Sequence, residues 1–169
     1  MMEIVITNNM RNKAHKKAKE MGVLYKSITR GKGNVFGFLG EEIARKVLGG
    51  KEHNTRDYDL IVSNKKIDVK TKKTSVAPKL NYECSVADLT KKQECDYFAF
   101  VRVLDDQSKG WFLGVKDRDT YYEEATYLTK GQHDPSNNFT VRANCYNLPI
   151  SSLSFNEEGI IDNGSKVKV

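Results

Sequence analysis

The sequence has 169 residues, of which 38% are hydrophobic and 30% are charged, and its formal net charge at pH 7 is +6. This length suits one domain with an ordinary hydrophobic core, and no apolar run approaches the roughly 18 residues of a membrane span. The three cysteines are widely spaced and form no C-x-x-C pair, so neither a disulfide framework nor a typical zinc site is indicated.

The position of the charges is more informative than their sum. Basic residues are concentrated in the first 32 residues and again between residues 65 and 79. This distribution is compatible with a polyanionic partner such as nucleic acid. The opening residues 1–6 form too short an apolar region for a secretory signal, so we expect a cytoplasmic (intracellular) protein that does not contact membranes.

Two helices are predicted in the first third of the chain. Residues 9–21 are rich in Lys, Ala and Met and predict a basic helix, which a polar loop follows. Residues 36–48 carry apolar side chains at i, i+3 and i+4 spacing and predict an amphipathic helix that ends at two glycines. Gly37 and Gly40 would let this second helix approach a sheet closely. Glu41 lies at the edge of its buried stripe, and Glu42 lies on the opposite flank.

The stretch from 57 to 72 predicts a β-hairpin. A short β-branched run, 60–62, is followed by Ser63-Asn64 and then by a longer strand. Side chains alternate along a strand, so we expect Asp68, Lys70 and Lys72 on a charged face, opposite a face that packs against the core. Asp59 enters the first strand, and two carboxylates and an ammonium group could therefore converge.

Such a group of side chains suits phosphate chemistry. Mg²⁺ prefers oxygen ligands, is often held by one or two carboxylates, and retains waters that can be polarised for attack on a phosphate. A lysine two residues from a ligand can orient that water or offset the developing charge. A solvated, purely structural hairpin is the alternative reading.

The remaining elements are predicted from periodicity and turn residues. We expect a strand at 82–86, a short helix at 87–94, two central strands at 96–104 and 111–116, a helix over 117–128, a last strand in 138–148 at an edge of the sheet, and a fraying polar tail at 151–169.

Several of these motifs, in this order, resemble the PD-(D/E)xK nuclease superfamily. They are Gly37-Phe38-Leu39-Gly40-Glu41 on a helix, Tyr58-Asp59, then Asp68-Val69-Lys70, the passage from Gln93 to Val101, and Trp111-Phe112-Leu113-Gly114-Val115. The resemblance covers roughly residues 33–131. It implies an α/β fold in one domain, 1–169, with a restriction-endonuclease-like core in which helices flank a central mixed β-sheet. Residues 1–32 would add a basic helix and loop.

The resemblance also implies roles for individual residues. Glu41 matches the helix acid, Asp59 the first motif acid, Asp68 the (D/E) position and Lys70 the lysine. The backbone carbonyl of Val69 would be a further metal ligand beside Asp59, Asp68 and Glu41, and Gln93 matches a polar residue near the site. Tyr58 stands where the name-giving proline would be, which leaves Asp57 as a rival to Asp59.

We therefore expect a nuclease, most readily an endonuclease, that uses Mg²⁺ or Mn²⁺ to hydrolyse DNA. Structure-specific or weakly sequence-selective cleavage is favoured, and a homodimer is compatible with it. The alternatives are a Holliday-junction resolvase and a non-catalytic nucleic-acid-binding protein that retains the fold. Phosphate contacts are expected from a set of basic side chains, namely Lys13, Lys16, Lys17, Arg30, Lys32, Lys72 and Lys73.

Overall fold

The computed structural model describes residues 1–21, 34–53, 55–134, 139–154, 160–162 and 165–167. Within these ranges the chain forms three α-helices: α1 (Asn8–Met21), α2 (Asn34–Leu48) and α3 (Arg118–Glu124). The strands are β1 (Met2–Val5), β2 (Lys51–Glu52), β3 (Leu60–Val62), β4 (Lys65–Thr74), β5 (Glu83–Ala87), β6 (Tyr97–Leu104), β7 (Lys109–Asp117), β8 (Thr126–Leu128), β9 (His133–Asp134), β10 (Phe139–Thr140), β11 (Cys145–Pro149), β12 (Ile160–Asp162) and β13 (Ser165–Val167).

Both predicted N-terminal helices are present. Helix α1 follows Thr7, whose hydroxyl accepts a hydrogen bond from the Met10 amide at 3.3 Å and so satisfies one free donor of the first turn. Helix α2 buries its predicted apolar stripe and ends at Gly49 and Gly50, which have positive φ values of 72° and 85°. Neither of these helices, nor α3, is both long enough and apolar enough to cross a membrane.

The predicted hairpin is also present. Strands β3 and β4 pair in antiparallel register, with Leu60 opposite Ile67 and Val62 opposite Lys65. Ser63 and Asn64 form the two-residue turn with φ values of 49° and 64°. Positive φ at both positions matches the right-handed twist of the flanking strands, and Asn is one of the residues that tolerates it.

A mixed six-stranded sheet forms the centre of the fold, in the order β1-β7-β6-β4-β3-β2. Strand β4 runs parallel to β6, and the other neighbours are antiparallel. Strands β6 and β7 occupy the interior of the sheet, as predicted for the two aromatic-rich segments. The structure is therefore a mixed α/β arrangement, with helices covering one face of the sheet.

The other face of the main sheet is covered by a second sheet. This sheet has the order β5-β11-β8, and with α3 it packs against the side chains of β6 and β7 that point away from α1 and α2. The face predicted to carry Asp68, Lys70 and Lys72 is not uniformly exposed to solvent. Asp68 is only 6% exposed, whereas Lys72 is exposed.

Several local predictions in the second half of the chain are corrected. The expected helix at 87–94 is a single 3₁₀ turn, Asp88–Thr90, and the expected helix at 117–128 ends at Glu124 and gives way to strand β8. The segment 138–148 contains two strands, and the longer of these, β11, is the central strand of the second sheet rather than an edge. The start of the polar tail is anchored, since Ser154 exchanges two backbone hydrogen bonds with Val115.

Candidate active site

The candidate site lies beside β4, at the point along this strand where its pairing with β3 stops. Strand β3 pairs with only the first three residues of β4, so the edge of β4 beyond Ile67 is not covered by any described strand. Asp59 fills this position. Its backbone amide donates to the Ile67 carbonyl at 2.9 Å, and its carboxylate Oδ2 accepts from the Val69 amide at 2.7 Å. The carboxylate of Asp59 thereby takes the place of the missing strand.

Asp68 and Lys70 form a close ion pair beside Asp59. The Lys70 Nζ lies 2.6 Å from Asp68 Oδ2, and the Asp68 and Lys70 side chains are 8% and 19% exposed. The ammonium group also lies 5.6 Å from the centre of the Phe98 ring. Because Phe98 is opposite Asp68 in the parallel register, the ring limits the space open to Lys70.

Gln93 fixes the ammonium group from a third element. Its Oε1 accepts a hydrogen bond from Lys70 Nζ at 3.2 Å, and its Nε2 donates to the Arg56 carbonyl at 2.7 Å. The amide of Gln93 therefore connects the segment that precedes β6 to the loop that precedes β3. It holds Lys70 near the carboxylates without adding charge.

Helix α2 brings Glu41 close enough to Asp59 for the two carboxyl groups to interact electrostatically. A Cβ atom added at Gly40 would lie 2.8 Å from both Cβ and Cγ2 of Thr71, so the helix packs at this point closely against the Thr71 side chain of β4. Nothing lies within 4 Å of a Cβ added at Gly37. The predicted close approach therefore depends on Gly40 alone of the two glycines.

The carboxyl groups of Glu41 and Asp59 are strongly perturbed. Burial, followed by the charge of Asp68, raises the pKa of Asp59 to about 7, and a hydrogen bond between the Asp59 and Asp68 carboxyl groups acts in the same direction. Burial, followed by the charge of Asp59, raises the pKa of Glu41 to about 8. The Val69 amide and Lys70 lower the pKa of Asp59 only in part. Burial and the neighbouring carboxyl groups thus disfavour the ionised forms of Asp59 and Glu41.

The neighbouring glutamate, Glu42, has a different environment. Its side chain is 5% exposed and forms ion pairs with Arg45 at 2.9 Å and with Lys17 at 4.0 Å. Glu41, by contrast, has a buried Oε2 atom that has no hydrogen-bond partner in the described part of the chain. The structure therefore places Glu41 rather than Glu42 beside Asp59, and Asp59 rather than Asp57 beside Asp68.

The arrangement fits a divalent cation held by few protein ligands. Asp59 and Asp68 repel each other, and the Val69 carbonyl faces the same open edge, because the N–H and C=O of one strand residue point to the same side. Within the described ranges no three His, Cys, Asp or Glu side chains form a compact metal cluster. The carboxylates meet in pairs, Glu41 with Asp59 and Asp59 with Asp68, and Mg²⁺ commonly uses one or two carboxylates and several waters.

The basic residues predicted to bind nucleic acid are not equivalent. Lys13 and Lys16 are exposed on α1, and Lys73 is exposed on β4, where its ammonium lies 3.5 Å from Asp105. Lys17 differs from these: its ammonium contacts Glu52 and Glu42 and lies over the Phe38 ring. Lys72 borders two cavities. Arg30 and Lys32 lie outside the described residues.

Sequence reasoning missed two contributors to the site. Phe98 supports Lys70, but only the parallel register reveals this, since the sequence places Phe98 within an apolar run. The carboxylate of Asp96 accepts from the Lys66 amide at 2.7 Å and so holds the start of β4 against the segment that leads into β6. An acidic residue just before an apolar strand was the available signal for this role.

Comparison with known proteins adds no assignment. No known family profile matches the chain, and no curated protein sequence matches it significantly.

Proposed function

We propose that this chain is a metal-dependent nuclease of the PD-(D/E)xK type, with a restriction-endonuclease-like core, that hydrolyses phosphodiester bonds in DNA. The proposal rests mainly on one observation: Asp59 and Asp68 lie side by side at the open edge of β4, with the ammonium of Lys70 2.6 Å from Asp68. Two carboxylates, a strand carbonyl and a lysine in this relation suit phosphoryl chemistry better than a purely structural ion pair.

The order of the elements supports the same proposal. A helix that carries an acid, Glu41, precedes a hairpin that carries Asp59, Asp68 and Lys70, and the second hairpin strand runs parallel to the next strand of the sheet. The exposed cations of α1 supply charge for phosphate contacts that do not depend on base sequence.

Each side chain then has a distinct task. Asp59, Asp68 and the Val69 carbonyl would hold Mg²⁺ or Mn²⁺, with Glu41 adding negative charge behind Asp59. When bound, the ion would polarise the phosphate and lower the pKa of a water molecule. Lys70 orients the attacking water and offsets the negative charge that develops on the phosphate. Gln93 keeps the ammonium of Lys70 in place for that task.

Cleavage assays on purified protein test the proposal. The protein is incubated with single-stranded, duplex and four-way-junction DNA and with Mg²⁺, Mn²⁺ or EDTA. We expect metal-dependent cleavage that falls by about 100-fold or more in Asp68→Asn and in Lys70→Met, the range seen when a positioned catalytic group is removed. Preferential cutting of the four-way junction would narrow the assignment to a junction resolvase.

Matched variants control for charge and folding. Asp57→Asn removes the neighbouring acid, and Lys66→Met removes an exposed lysine from the same strand, so both should retain activity. Binding of Mn²⁺, followed by the loss of the free-ion electron paramagnetic resonance signal, should weaken in Asp59→Asn and not in Asp57→Asn. Cleavage that persists in EDTA, or full activity of both Asp68→Asn and Lys70→Met, would overturn the proposal.

A further inference from the structure

A large cavity lies beyond the lysine end of the candidate site. Its volume is about 840 Å³, and it opens between β4 and the second sheet. The side chains that matter for its chemistry include three cations, two aromatic rings and one thiol, namely Lys72, Arg102, Arg142, Tyr82, Phe139 and Cys145. We call this space the basic cavity. Its volume is within the range of pockets that enclose a ligand of nucleotide size.

The basic cavity lies next to a smaller cavity that reaches Lys70 of the candidate active site. This smaller cavity of about 160 Å³ is lined by Lys70, and it shares Lys72, Glu83, Ser85 and Arg102 with the basic cavity. Lys72 follows Asp68 by four residues on the same face of β4, which is about 13 Å at roughly 3.3 Å per residue. A nucleic acid strand that reaches Asp68 could therefore extend into the basic cavity within a few nucleotides.

The cations of the basic cavity suit a phosphate group. Burial, followed by the charge of Arg102, lowers the pKa of Lys72, so two positive groups face each other in a partly desolvated space. Glu83 offsets them only in part, because burial and the charge of Asp134 raise its own pKa. An anion beside Lys72 would relieve this repulsion, and Arg142, which lines the same cavity, could contact that anion as well.

The aromatic rings suit an unpaired base. Phe139 is 40% exposed, and it lines the cavity. Tyr82 is held by the Arg102 guanidinium, which lies 5.0 Å from the centre of its ring and donates to the Glu83 carbonyl. Bases stack on such rings with little sequence preference, because every base has a π-face.

We propose that the basic cavity binds an unpaired nucleotide of the substrate strand, with its phosphate between Lys72 and Arg142 and its base against Phe139. The inference rests on the proposed nuclease function and narrows its substrate class. A base inside a duplex would first have to leave its stack, whereas a base in a single strand or at a branch is already free. The site therefore favours DNA with unpaired nucleotides beside the scissile bond.

Binding measured without metal tests this inference separately from catalysis. In EDTA, the affinity of the intact protein for a fluorescein-labelled 12-nucleotide oligothymidylate is compared by anisotropy with that for a 12-base-pair duplex. We expect tighter binding of the single strand. Phe139→Ala and Arg142→Ala should each weaken it by about fivefold or more, which is the lower range for removal of a stacking ring. Both residues are exposed, so truncation should not prevent folding.

Two variants serve as matched controls. Tyr127→Ala removes an exposed ring and Lys130→Ala removes an exposed cation, and neither residue lines the basic cavity. Both variants should bind the single strand within about twofold of the parent protein. If they weaken binding as much as Phe139→Ala and Arg142→Ala do, the DNA is bound by general surface charge and the inference fails.

Cys145 offers a second readout inside the cavity. It is half-buried and lines the cavity, whereas Cys84 and Cys95 are buried. The oligothymidylate should slow alkylation of Cys145 by N-ethylmaleimide several-fold, as followed by peptide mass spectrometry. The inference would be overturned if a saturating concentration of the oligothymidylate left the rate of Cys145 alkylation unchanged. It would also be overturned if Phe139→Ala and Arg142→Ala bound the oligothymidylate with unchanged affinity. If the oligothymidylate protects Cys145 from alkylation but the protein cuts no DNA, the proposed nuclease function would be refuted while the proposed binding site would be supported.

Discussion

Replacing Gly40 by alanine tests whether the close packing of α2 on β4 positions the site. Alanine has the higher helix propensity, by about 1 kcal/mol in a helix interior. The added Cβ atom, however, would lie 2.8 Å from the Thr71 Cβ, a distance that no rotation of the Thr71 side chain can increase. Helix and strand must therefore separate, and overpacking of this kind costs about 1 to 3 kcal/mol.

Gly37→Ala provides the matched control in the same helix. The added atom meets nothing within 4 Å, so this variant should be stabilised by about 1 kcal/mol. The propensity gain is common to both variants, and the difference between them therefore isolates the overpacking term. At about 2 to 4 °C per kcal/mol for a chain of this size, Gly40→Ala should melt roughly 2 to 12 °C below Gly37→Ala.

Thermal and urea unfolding, followed by circular dichroism, would measure this difference. Thr71→Gly removes the opposing side chain, so the double variant with Gly40→Ala should recover part of the loss. Gly40→Ala should also reduce metal-dependent cleavage, because Glu41 is the next residue on the displaced helix. Equal melting temperatures for Gly40→Ala and Gly37→Ala would refute the packing argument.

Three further predictions concern protons, metal and the second sheet. Folding raises the pKa of Glu41 from 4.5 to about 8 and that of Asp59 from 3.8 to about 7, so the folded state holds these protons more tightly. The free energy of unfolding in EDTA should therefore fall as the pH rises from about 4 to about 8. The melting temperature should fall less steeply over this pH range in Glu41→Gln. An equal pH dependence in both proteins would contradict the raised pKa of Glu41. At pH 8, Mn²⁺ should raise the melting temperature of the parent protein progressively with concentration, and calorimetry should show little rise in Asp59→Asn. Tyr121→Phe removes a buried hydroxyl that lies 2.9 Å from the Cys84 carbonyl and 2.7 Å from the Tyr146 carbonyl, and we expect a loss of about 1 to 3 kcal/mol in urea unfolding. No change in the urea midpoint would show that this bridge between α3 and the second sheet contributes little.

Local pattern was sufficient to predict the elements that carry the site. The i, i+3, i+4 spacing of α2 and its terminal glycines, and the turn between β3 and β4, are encoded by neighbouring residues, and the structure has them with boundaries shifted by at most two residues. The same spacing indicated that Glu41 lies at the edge of a buried stripe. For the site, this placed Asp59, Asp68 and Lys70 on one hairpin.

Local sequence pattern was insufficient where the secondary structure of a segment depends on the strand with which it pairs. Residues 82–86 alternate as a half-buried strand would, but alternation does not identify the sheet that the strand joins, and β5 pairs with β11 in the second layer. Residues 117–128 have helical spacing throughout, yet the chain leaves the helix after Glu124 and pairs β8 with β11. In both cases distant pairing prevailed over local propensity.

The environment of each charged group was likewise decided by tertiary structure. The sequence by itself determined that Asp68 and Lys70 share a face of β4, because side chains alternate along a strand. In the folded chain Asp68 is buried and Lys72 is exposed, the parallel register places Phe98 near Lys70, and Glu52 and Glu42 form ion pairs with Lys17. Each of these contacts joins residues more than 20 positions apart. The burial and the ion pairs of these residues depend on which distant segments pack together, and the local periodicity of the sequence does not determine that packing.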